Sequence, residues 1–213
     1  FDCLDQYISA DLNPLFCGHV STIMISRPPG FSAIISGISY ALSLALRKVE
    51  PSPKAHPNGP VAIAQALWFR YMVTVLNGVV ILGFDKVTAL VLFFLISAID
   101  TLSYPVVSHA VLHKAGMARV YPTFITAFTW VGNLRVLLLM TISLLTVGLG
   151  VESMQIIMLP FAIWMIWASW SVATHALGRG GWAGAGMVFL ALVLEMLLGA
   201  LILTFIHPPA PTG

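Results

Sequence analysis

The sequence predicts an all-α protein, a polytopic bundle of transmembrane helices with six spans, or five if the first apolar segment lies in the membrane interface. Two observations lead there. Of the 213 residues, 59% are hydrophobic and only 8% are charged, whereas a soluble domain carries roughly 25% charged residues. So few charges cannot cover a surface facing water, and lipid is the expected solvent. The apolar residues also fall in long runs, such as Val136 to Leu149 and Met187 to Leu203, the second interrupted only by Glu195. Backbone polar groups in lipid must be satisfied within the chain. Barrel strands would show short alternating segments, so helices are the expected form.

A bilayer core about 30 Å thick needs about 20 helical residues to cross it. The first candidate, 31–46, is short and follows Pro28-Pro29-Gly30. The other five are 61–83, 87–113, 123–149, 154–177 and 182–206. Breakers separate them: Pro51, Pro53, Pro57 and Gly59 after the first, Gly116 after the third, Gly150 after the fourth, and Gly178, Gly180 and Gly181 after the fifth. His207-Pro208-Pro209 stops the last. The whole chain, 1–213, reads as one transmembrane domain preceded by a short extramembrane segment, 1–30. No basic region followed by a cleavage site marks a signal peptide.

Loop charge sets the expected orientation. Arg47, Lys48 and Lys54 follow the first segment, Lys114 and Arg119 follow the third, and Arg179 follows the fifth. Alternating spans put these on one side, expected to be cytoplasmic in a bacterial inner membrane, although an organellar membrane fits the same pattern. The C-terminus then falls on the opposite side, with Asp85, Lys86 and Glu152. If 31–46 spans, Asp2, Asp5, Asp11, Cys3 and Cys17 lie outside and a disulfide is open to the cysteines. If it lies in the interface, they face inward and stay reduced.

Four ionisable residues fall deep within the candidate spans: Arg70, Asp100, Arg135 and Glu195. At 1.5 Å per residue each lies roughly 14–21 Å from a helix end. An unpaired charge at that depth costs at least about 2.5–3.5 kcal/mol. Acid–base pairing is therefore expected, Asp100 with Arg135 or Arg70, and Glu195 with the remaining arginine. The four can serve as an ion or proton path, or as ion pairs that fix packing and register; two matched pairs leave no spare carboxylate to titrate.

On the third span Ser97, Asp100, Tyr104 and Ser108 share one helical face. Pro105 removes a backbone hydrogen bond and should kink the helix near Thr101. On the fourth, Arg135 lies about 200° round the axis from Asn133, so the two should meet different neighbours. His109 and His113, spaced i, i+4, and His175 gather at the basic side. An i, i+4 pair can chelate a metal, and bis-histidine haem ligation needs rings facing across two helices, but no third ligand stands nearby in sequence. The run Gly178 to Gly186 lacks the features of a phosphate loop, and Gly180 with Gly184 has the spacing of a packing seam. Trp164, Trp167 and Trp170 lie too deep for an interfacial belt, where Trp182 fits.

Asp100 with Ser103-Tyr104-Pro105, then Tyr121-Pro122, then Ala127-Phe128-Thr129-Trp130 with Asn133, resemble the polar, proline-containing third helix and aromatic-Asn fourth helix of small bacterial Yip-type membrane proteins. The resemblance covers about a third of the chain. It implies about five spans, an inward N-terminus, and a role in membrane organisation or trafficking without catalytic residues.

The expected function is a non-catalytic integral membrane scaffold or accessory subunit, bound to membrane lipid and to other transmembrane subunits, with no nucleic acid, no catalytic residue and no dedicated cofactor. The alternative is a small transporter or proton-conducting protein whose path is lined by Arg70, Asp100, Arg135, Glu195 and Tyr104. A haem or metal protein using His109, His113 and His175 is the third possibility.

Overall fold

The structure, a computed structural model, describes residues 28–52, 54–57, 59–82, 87–149 and 152–206. All regular structure among them is helical: α1 (Phe31–Ala45), α2 (Pro60–Leu82), α3 (Val87–Lys114), a 3-10 turn (Ala118–Val120), α4 (Tyr121–Leu149), α5 (Glu152–Leu177) and α6 (Gly181–Ile206). Cys3, Cys17, Asp2, Asp5, Asp11, Asp85, Lys86 and the tail from His207 lie outside the described residues.

The helix ends follow local chemistry. At the end of α1 the Arg47 amide donates to the Leu44 carbonyl at 3.0 Å and the Lys48 amide to Ser43 at 2.8 Å. This is a Schellman ending, which needs a left-handed residue at Arg47. Arg47 supplies it at φ 55°, and its guanidinium lies 4.4 Å from the Trp167 ring centroid while donating to Ser171 Oγ at 3.1 Å. Those contacts offset the backbone cost of a non-glycine residue there. The end of α3 repeats the motif with Gly116 at φ 70°, the Met117 amide reaching the Leu112 carbonyl at 2.8 Å. Pro122 sits in the first turn of α4, where no amide donor is missed.

Three helical stretches are long and apolar enough to cross a membrane: Leu90–Lys114, Ala118–Ile142 and Gly181–Ala200. Helices α2 and α5, of 23 and 26 residues, have crossing length. Helix α1, at 15 residues, is about 22 Å long and stops short of a 30 Å hydrocarbon core.

Helix α4 is the hub. It packs against α1, α2 and α5, while α3 joins α2 to α6, and α6 pairs with α5. The sequence of α4 explains its position, because it buries almost every side chain from Phe124 to Leu134. Trp130, Val131 and Leu134 face Tyr40, Ala41, Leu44, Ala66, Met165 and Val172 in one cluster. Phe124, Ile125 and Phe128 face Tyr104, Leu112, Leu177 and Met187 in the other. Gly37 lets α1 approach closely: a Cβ there would overlap the Trp130 indole.

Polarity is distributed as membrane helices require. Ser97, Thr101, Ser108, Thr126, Thr129 and Asn133 are buried, while Leu95, Ile99, Val106, Phe189, Met196 and Leu197 are exposed. An exterior rich in large apolar side chains suits lipid. The polar residues of α3 find local partners, and one expectation, the Gly180 packing seam, needs correcting. Helix α3 runs unbroken through Pro105, whose carbonyl accepts from Tyr121 Oη at 3.0 Å and Ser108 Oγ at 3.1 Å. The Thr101 hydroxyl turns back to the Ser97 carbonyl at 2.8 Å. Gly180 is a turn residue at φ 83°, so the close approach of α5 and α6 rests on Gly184, whose Cβ would strike Thr174, and on Gly181 against Trp170.

Candidate functional site

Four helices each contribute one ionisable side chain to a single cluster: Arg70 from α2, Asp100 from α3, Arg135 from α4 and Glu195 from α6. Arg70 Nη2 lies 3.4 Å from Asp100 Oδ2 and 3.7 Å from Glu195 Oε1. Glu195 Oε1 also accepts a hydrogen bond from Arg135 Nη2. The order is Asp100–Arg70–Glu195–Arg135, alternating in sign with no formal net charge. Glu195 is the shared member, so the four form one chain and not two separate pairs.

The scaffold around Arg70 is specific. Gly132 on α4 leaves room for its guanidinium, since a Cβ there would lie 3.1 Å from Arg70 Nη1. One turn earlier on α2 the Ala66 carbonyl accepts a hydrogen bond from Asn133 Nδ2 at 2.9 Å. Asn133 therefore faces α2 and Arg135 faces α6, and α4 is held from two sides. The chain is not fully enclosed. Arg70 is 13% exposed, but Asp100, Arg135 and Glu195 are 25%, 27% and 33% exposed.

Tyr104 stands one turn beyond Asp100 but serves a different contact. Its ring stacks on Phe128 with centroids 4.8 Å apart, and its hydroxyl donates to the Met187 carbonyl at 3.2 Å. That bond ties α3 to α6.

The histidines divide. His109 lies 6.1 Å from His113 and 4.8 Å from Tyr121 between ring centroids. His175 Nδ1 instead lies 2.7 Å from the Ser171 carbonyl, in a cleft shared with Arg47 and Glu50. Among the described residues no three His, Cys, Asp or Glu side chains gather as metal ligands. The three deep tryptophans also part ways. Trp164 packs on the core, Trp167 lies under Arg47, and Trp170 Nε1 donates to the Gly181 carbonyl at 2.9 Å.

Sequence reading missed the fold-back of the connection after α1. His56 stacks on Tyr40 with centroids 4.7 Å apart and lies 6.1 Å from Trp130. Only the density of proline around it hinted that this segment is ordered.

Fold and site together define an all-helical protein, compatible with integral membrane residence, that carries a self-neutralising charge chain between helices. No family model, curated protein or solved structure matches the chain.

Proposed function

We propose that this chain is a non-catalytic accessory or scaffold subunit that crosses a bacterial inner membrane six times, or five times with the short α1 lying in the interface, and packs within a larger membrane complex, its basic end cytoplasmic and its C-terminus on the other side. The observation that carries the reading is the partial exposure of the charge chain. A self-contained monomer would enclose mid-depth ions, because charge facing hydrocarbon costs at least about 2.5 kcal/mol. Here Asp100, Arg135 and Glu195 keep a quarter to a third of their side-chain surface open, beside the strongly exposed Met196 and Leu197. A neighbouring transmembrane helix over this face removes that cost. The alternating charges leave no unpaired carboxylate to act in chemistry. The likeness of α3 and α4 to Yip-type proteins, a type without catalytic residues to transfer, points the same way.

A photocrosslinking residue at Met196 tests this in intact membranes. Capture of a second membrane polypeptide is expected. Capture of lipid alone, from a chain that purifies as a lone monomer, refutes it.

The same opening favours a second reading, a water-filled crevice serving a small transporter or proton conductor. Flux in liposomes that depends on Asp100 and Glu195 would establish it. Flux unchanged by Asp100→Asn and Glu195→Gln would remove it.

A further inference from the structure

An apolar groove lies away from the charge chain. It has a volume of about 630 Å³ and runs between the C-terminal part of α3 and the N-terminal part of α6. Its walls are apolar, built by Val111, Leu112, Met187, Phe189, Leu190 and Val193. Val111 and Phe189 are also open to the outside, at 42% and 68% exposure. At the basic end of the bundle the groove is lined by Arg179.

The mouth is cationic. Arg179 is exposed and makes no hydrogen bond or ion pair to any described residue. Lys114 and Arg119, also exposed, flank in sequence the lining residues Ala115 and Met117. The wall along α6 has a gap at Gly186, where a Cβ would meet nothing within 4 Å.

We infer that this groove is a binding site for one anionic phospholipid of the surrounding membrane, with an acyl chain along the α3–α6 wall and the phosphate at Arg179. Both requirements of such a ligand are met in one place. Helices α3 and α6 are two of those long and apolar enough to cross a membrane, so hydrocarbon is the solvent that reaches the groove. Arg179, the cation in the groove lining, stands at the end of the helices where headgroups lie. An apolar peptide helix would leave Arg179 without a counter-charge. A zwitterionic lipid would satisfy the phosphate contact but gain nothing from the surplus of positive charge. The inference needs only membrane embedding and is independent of the accessory-subunit reading.

Native mass spectrometry of the full chain in mild detergent tests it, with phosphatidylglycerol and phosphatidylcholine offered in turn. One retained phosphatidylglycerol is expected, preferred over phosphatidylcholine. Arg179→Gln should weaken that preference by about fivefold, the factor one cation contributes at an anionic surface, with phosphatidylcholine retention unchanged. Gly186→Leu should fill the groove and remove the retained lipid whichever headgroup it carries, with helicity intact by circular dichroism. Arg179 lies in an exposed turn, so its variant keeps the test open even if Gly186→Leu misfolds. Equal retention of both lipids, an unchanged preference in Arg179→Gln, or a Gly186→Leu protein that folds and still holds the lipid overturns the assignment. So does a polypeptide found in the groove. These outcomes do not bear on crosslinking at Met196, so the two proposals fail separately.

Discussion

Replacing Glu195 with Gln removes the shared member of the charge chain while keeping its shape. Arg135 loses its acid, and Arg70 keeps only Asp100, at 3.4 Å. Breaking a buried ion pair costs about 3–5 kcal/mol because a charge is left uncompensated, and an unpaired charge at mid-membrane costs about 2.5–3.5 kcal/mol. Glu195 and Arg135 are 33% and 27% exposed, so part of that cost is relieved by solvent or headgroup access. A loss of about 2 kcal/mol is expected, which lowers Tm by about 4–8 °C in a chain of this size. Tryptophan fluorescence during thermal unfolding in detergent is the assay. The decisive comparison is the double variant with Arg135→Gln, which removes both charges together. It should recover stability to within about 1 kcal/mol of the native chain, because no lone ion remains. If Glu195→Gln unfolds within 1 °C of the native chain, or if the two substitutions add without coupling, the charge chain does not hold the helices together and the reasoning fails.

Three further outcomes follow from the packing. Gly37→Val should be destabilising by about 1–3 kcal/mol or more, because its side chain must displace the rigid Trp130 indole; Gly199→Ala, which meets nothing within 4 Å, should leave thermal unfolding unchanged or improve it. Tyr104→Phe removes the hydrogen bond to the Met187 carbonyl but keeps the stack on Phe128, so the loss should be about 0.6 kcal/mol, the average for a polar contact between membrane helices; a loss above about 2 kcal/mol would show that the hydroxyl does more than tie α3 to α6. Arg47→Ala should loosen the connection after α1, since its contacts with Trp167 and Ser171 compensate a left-handed backbone; Arg47→Gly, which takes that backbone freely, should recover part of the loss in the same unfolding assay.

Helix positions were legible because they rest on local signals. Proline, glycine and the ends of apolar runs place each helix within two residues of its observed bounds: 123–149 was expected where Tyr121–Leu149 is found, and 154–177 where Glu152–Leu177 is found. The membership of the charge cluster was also legible, because four ionisable residues amid apolar runs stand out by depth alone. Its connectivity was not. Nothing in the spacing of Arg70, Asp100, Arg135 and Glu195 says that one carboxylate would serve both arginines, since that depends on how α2 and α6 approach across α4. The difference in facing between Asn133 and Arg135 could be read from the helical period, but not its consequence. The Asn133 bond to Ala66 and the gap at Gly132 both act on α2, so the two faces of α4 cooperate around Arg70.

Tyr104 shows what a shared helical face does and does not fix. It shares a helical face with Asp100, and a shared face suggests a shared path. Face-sharing fixes direction about the axis of one helix, whereas contact depends on what stands opposite at each level. Opposite Asp100 stands Arg70; opposite Tyr104, one turn on, stand Phe128 and the α6 backbone at Met187. The polar stripe on α3 therefore meets charge at one level and packed core at the next. The two levels therefore hold α3 by different means, an ion pair to α2 at Asp100 and a ring stack with a hydrogen bond to the α6 backbone at Tyr104, so one helical face serves two neighbours.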